Sequence, residues 1–127
     1  MTETRTDASE ITVNVAGAHA KNSLMQWSSA GQNYVVATAA TNIGKKIGGH
    51  LTQATQAAGK GTIRLLSAIG TAIGLAEGVI TEGDIVTAAA AGKIESAGLG
   101  IQLGVAMETV ADDESIEYRP FLLPDRV

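Results

Sequence analysis

Cysteine is absent from the 127-residue chain. Disulfides, thiolate metal sites and cysteine nucleophiles are therefore excluded, and no reading of redox compartment follows. Aromatic residues are nearly missing: Trp27, Tyr34, Tyr118 and Phe121 are the whole set. Ligand pockets are usually lined by large apolar and aromatic groups, so a deep hydrophobic pocket is disfavoured. Proline occurs twice, as Pro120 and Pro124. A basic excess is also missing: 9 Lys and Arg face 13 Asp and Glu, for a net charge of −4. A nucleic-acid binder would show the opposite balance, so no nucleic-acid partner is expected. No apolar run reaches the ~18 residues of a membrane span. The nearest, LLSAIGTAIGLAEGVI, is preceded by Arg64 and interrupted by Glu77, so no membrane partner is expected. The opening MTETRTDASE is polar where a secretory signal would carry an apolar core.

What is present is a small-residue, β-branched chain in which Ala, Gly, Ile, Val and Thr dominate. Such residues suit pleated surfaces and thin cores. Residues 1–10 have no apolar periodicity and read as a flexible N-terminal arm. From Ile11 onward, Ile11, Val13 and Val15 alternate with Thr12 and Asn14, the period of a strand with one buried face. Further strands are expected over residues 23–27, 33–38 and 62–66, with turns at 28–32 and 57–61. Residues 42–49 read as a loop, and 51–54 as a possible extension. Thr87 to Ala91 contains four alanines that favour helix. The run is too short for a stable one and is followed by Gly92, so a strand end and turn is expected. The pattern predicts an all-β fold, a small barrel or sandwich of short strands in a single domain over residues 11–127.

An internal two-fold repeat strengthens this. Leu24-Met25-Gln26 and then Ala30-Gly31 match Ile85-Val86-Thr87 and then Ala91-Gly92. Ile47-Gly48 matches Leu103-Gly104, and Thr62-Ile63-Arg64-Leu65 matches Ser115-Ile116-Glu117-Tyr118. The repeat units span about residues 22–66 and 83–121.

Catalytic and cofactor patterns fall short. His19 and His50 have no carboxylate at helical ligand spacing and read as surface or turn residues, so no metal site is expected. Asp112-Asp113-Glu114 lacks the alternating donors and central Gly of a calcium loop. Gly59-Lys60-Gly61-Thr62 lacks the spacing of a phosphate loop, and Lys60 reads as a turn residue. Gly98, Gly100 and Gly104 miss the dinucleotide spacing. No Gly-x-Ser-x-Gly elbow occurs. The expectation is a non-enzyme with no catalytic residues and no cofactor. Interaction remains. Trp27, Tyr118 and Phe121 are either interface anchors or core filler. The apolar tail around Pro120, Phe121 and Leu122 is exposed unless it packs on its own domain or a neighbour.

The run Ile80-Thr81-Glu82-Gly83-Asp84-Ile85-Val86, then Ala91-Gly92-Lys93-Ile94, Leu103-Gly104-Val105-Ala106-Met107-Glu108 and Ile116-Glu117-Tyr118, resembles the small capsid decoration (cement) proteins of tailed bacteriophages. The resemblance is clearest over residues 79–121 and fainter over 22–66. It implies a compact β-barrel-like body, a homotrimer, seated on the virion's capsid exterior and bridging neighbouring major capsid proteins. It also implies an arm gripping the shell, with Thr2, Thr4, Arg5, Thr6 and Ile11 as candidate capsid-binding residues. Trp27, Tyr118, Pro120, Phe121 and Leu122 are the candidates for the trimer or capsid interface. A head-fibre or tail component, and a small ligand- or carbohydrate-binding β domain, are the alternatives.

Overall fold

The computed structural model describes residues 10–28, 31–38, 47–66 and 70–121. Among these residues ten strands follow one another: β1 (Glu10–Val15), β2 (Leu24–Ser28), β3 (Asn33–Val36), β4 (Ile47–Leu51), β5 (Gly59–Leu65), β6 (Ala72–Leu75), β7 (Ile85–Ala88), β8 (Ile94–Ser96), β9 (Gln102–Ala106) and β10 (Ser115–Pro120). The fold is all-β, as the patterning predicts. Strands β1-β3-β2-β4-β5 close a barrel, and β6-β10-β9-β7-β8 form a second sheet.

The two halves repeat one topology. Each is a first strand antiparallel to the last, a hairpin, and a bulged antiparallel link from hairpin to return strand. The bulge falls between Met25 and Gln26 in the first half and between Val86 and Thr87 in the second. Turn bonds correspond as well. Ser23 N donates to Ala20 O, as Asp84 N does to Thr81 O. Leu51 N donates to Ser23 O, as Ala106 N does to Asp84 O. Leu66 N donates to Gly48 O, as Phe121 N does to Leu103 O. Asn22 and Gly83 hold the same left-handed turn position, with φ of 70° and 92°. Asn and Gly are the residues that tolerate it.

This register corrects the sequence alignment of the repeat. Gly104 pairs with Val86 as Gly49 pairs with Met25, so Gly49, not Gly48, is its counterpart. Arg119 opposes Val105 as Arg64 opposes His50, which makes Arg119 the counterpart of Arg64. Each half also owns a leading strand, β1 or β6, outside the units read from sequence. Glu10 belongs to β1 rather than to the arm, and β4 occupies residues 47–51, part of which reads as loop. Lys60 is likewise on β5 opposite Asn14, not in a turn. Residues 87–91 do end a strand and turn: β7 stops at Ala88 and a single 3-10 turn follows.

The closing contact repeats as well: Ala76 pairs in parallel with Ile94 and Glu77 N donates to Ile94 O, as Val15 pairs with Tyr34 and Ala16 N donates to Tyr34 O. The halves differ in how they are filled. Val15, Met25, Leu51 and Ile63, with Ile11, Val13, Tyr34 and Val36, fill the barrel. At the matching positions of the second sheet stand Ala72, Gly74, Ala76, Val86, Ile94, Ser96, Ala106 and Tyr118. Most are smaller, so this inner face does not fill itself. It packs instead on residues outside the barrel core, and Leu24, Ala37, Ile47 and Leu66 join its cluster. Gly74 shows the fit: a Cβ there would stand 2.8 Å from Ile94 Cδ1 and 3.0 Å from His50 Cε1. Each Leu or Ile buried across this junction contributes roughly 1.5–3 kcal/mol.

Candidate interaction surfaces

At the junction of the halves, His50 is buried and bridges both. Its Nδ1 lies 2.9 Å from Asn22 O and its Nε2 lies 2.7 Å from the Tyr118 hydroxyl. Burial drives its pKa down to about 4, partly opposed by the Asn22 carbonyl. The ring is therefore neutral at pH 7. It donates from Nδ1 to that carbonyl and accepts the Tyr118 hydroxyl proton at Nε2. His50 is thus a core residue, not the surface or turn histidine its sequence context suggests. Of the two readings of Tyr118, interface anchor or core filler, the structure gives the second: it is fully buried inside the chain. The alternating pattern of residues 115–120 signals that burial; the His50 partner has no local signal. His19 is partly buried beside Thr55, to which its backbone is bonded in both directions.

The acidic and glycine motifs have structural partners. Asp112 accepts from Gly78 N, Asp113 pairs with Lys93, and Glu114 accepts from Ala111 N. Asp84 accepts from Ser96 Oγ and Thr81 N, which hold its carboxyl below the usual range. Gly100 is there for closeness, since a Cβ would stand 2.0 Å from Ala88 O. Among the described residues no group of three or more His, Asp and Glu could hold a metal ion. No helix among them is long and apolar enough to cross a membrane.

Three surface features remain. Trp27 and Tyr34 face each other across β2 and β3 as an edge-to-face pair with centroids 5.5 Å apart. Tyr34 packs on Gly48, while Trp27 stays 43% exposed. A cleft of about 360 Å³ at the junction is bordered by Lys21, Asn22, His50, Thr52, Arg64 and Thr71, among others. A hollow of about 300 Å³ in the second half, bordered by Glu82, Gly83, Val105, Ala106, Met107 and Arg119, occupies the matching positions. In the first half β6 walls the cleft, and Arg64 Nε donates to Thr71 O. The third feature is the outer face of the second sheet. There Ile73, Ile85, Met107 and Phe121 are 48, 39, 49 and 36% exposed, beside a partly buried Val105.

Of the candidate interface residues, Trp27 and Phe121 are at the surface, in different halves. Pro120 ends β10 opposite Gly104, beyond the last β6 pair, so its missing N–H costs no bond to β6. Ile11 is partly buried in the barrel, paired with Ile63. Thr2, Thr4, Arg5, Thr6 and Leu122 lie outside the described residues.

These features define a duplicated β-barrel-and-sheet body with surfaces for contact. No family model matches the chain, and no curated protein matches it. Among solved structures it is similar to the head fiber gp8.5 N base of bacteriophage phi29. The TM-score is 0.65 at 14% identity, covering 88% of this chain and 92% of that one. The likeness is one of fold.

Proposed function

We propose that the chain is a structural protein of a tailed-phage virion, attached to the outside of the head, with no catalytic activity of its own. The observation that carries this is the fold likeness to a phage head-fibre base across nearly the whole of both chains. It joins the independent resemblance of residues 79–121 to capsid decoration proteins. The mechanism is mechanical. A homotrimer seated on the shell bridges neighbouring major capsid subunits, and each contact adds buried area that resists the pressure of packaged DNA. Closed symmetry lets one chain satisfy several equivalent shell sites.

A second reading, favoured by the same likeness, is the base of a head fibre, which anchors a projection rather than bridging subunits. Electron microscopy of virions separates the two. Compact caps repeated at lattice positions support decoration, and densities at the root of projecting fibres support the base. Tail-only density removes both readings.

A further inference from the structure

We propose that the outer face of the second sheet is where one copy of this chain binds another. The inference rests on the reading of the chain as a homo-oligomeric virion protein and names the surface that joins the copies. Strand register puts Ile85, Val105 and Arg119 in one row and Met107, Glu117 and Ile73 in the next, all away from the core. Phe121 continues β10 on the same side. Among the described residues, four of the seven exposed large apolar side chains therefore share one sheet face. Scattered exposed apolar residues are ordinary, but several gathered on one sheet face point to a contact site.

The chain itself shows what this kind of face accepts. In the first half the matching residues are Leu24 for Ile85, His50 for Val105 and Leu66 for Phe121. All three are buried, because the second half covers them. The same face of the same fold is covered once by its own kind and left bare once. Charge also favours a second copy. Arg119 borders the hollow with Glu82 and Met107, and Glu117 lies in the neighbouring row. In a closed trimer each copy meets the next heterologously, and a face carrying both signs around an apolar centre can set Arg119 of one copy against the acidic side of its neighbour.

The test is sedimentation velocity on the full chain over a concentration series. The wild type is compared with the double variant Ile85→Asp/Met107→Asp, with Arg119→Glu, and with the control Leu99→Asp. Leu99 is 99% exposed and lies in the β8–β9 connection, outside the strands that carry the face. The expected result is an oligomeric wild type and control, a monomeric double variant with an unchanged circular dichroism spectrum, and association weakened at least tenfold by Arg119→Glu at low salt. Should the double variant misfold, the charge reversal, which buries nothing, decides alone. Variants that keep the wild-type mass, or a wild type that is monomeric throughout, overturn the proposal. Co-sedimentation of the wild type with capsids, run in parallel, keeps that failure separate: a chain that still pellets with shells retains its virion role. A monomeric wild type whose face variants lose shell binding assigns the face to the capsid and also overturns the proposal.

Discussion

His50 links one side chain to the stability of the whole body. Its folded pKa is about 4 and its ordinary value 6.5. Between these values the unfolded chain holds a proton that the folded chain does not, so stability rises with pH across that window. The full contribution is present above about pH 6.5, and roughly 3 kcal/mol is lost by pH 4. Urea denaturation from pH 7.5 to 4 should show this slope, and His50→Gln should flatten it. Tyr118→Phe leaves Nε2 without its hydroxyl donor in a buried site. It should cost about 1–3 kcal/mol at pH 7 by the same measurement. Gly104 is constrained by backbone instead. A Cβ would lie 2.2 Å from Arg119 O, so Gly104→Ala must push β9 and β10 apart. A loss above about 2 kcal/mol is expected, read as a lowered midpoint in thermal denaturation.

The two halves differ as folding units although their strands correspond. The first half is filled by its own side chains, whereas the second has Ala72, Gly74 and Ala76 where β1 has Ile11, Val13 and Val15. Its inner face is complete only when Leu24, Ile47 and Leu66 of the first half are against it. An isolated fragment of residues 70–121 should therefore give a coil-like circular dichroism spectrum. A fragment of residues 10–66 should retain β signal but bind a hydrophobic dye through its uncovered face. A cooperatively folded 70–121 fragment would show that the second half fills its core without the first.

For the whole molecule, the proposed virion role depends on what the body presents to a shell and to its own copies. If the segment before β1 is the anchor, deleting residues 1–9 should leave the midpoint of thermal unfolding nearly unchanged while sharply weakening co-sedimentation with expanded capsids. Ordering such a segment costs roughly 1–2 kcal/mol per residue. The shell must supply main-chain pairing and contacts to offset that, and a trimer presents three arms at raised effective concentration. Shell binding unchanged by the deletion would move the contact to the body.

By itself the sequence determined an all-β body and its repeat, because strand alternation and turn chemistry are local and survive in residues such as Ile11, Val13 and Val15 or Ala91-Gly92. It also limited the chemistry, since a chain with no cysteine and few aromatics offers few side chains for a deep reactive pocket. The register of the repeat was not legible. A bulge shifts pairing without changing composition, so Gly48 looked like the partner of Gly104 when Gly49 is. Nor could the sequence say how the core of each half is filled. That depends on the summed size of side chains brought together from five strands, and on the face of the other half that fills the remainder. His50, Tyr118 and the exposed row through Ile85 and Phe121 were decided the same way. Burial at those positions is set by residues dozens of positions away, and only the tertiary structure brings them into contact.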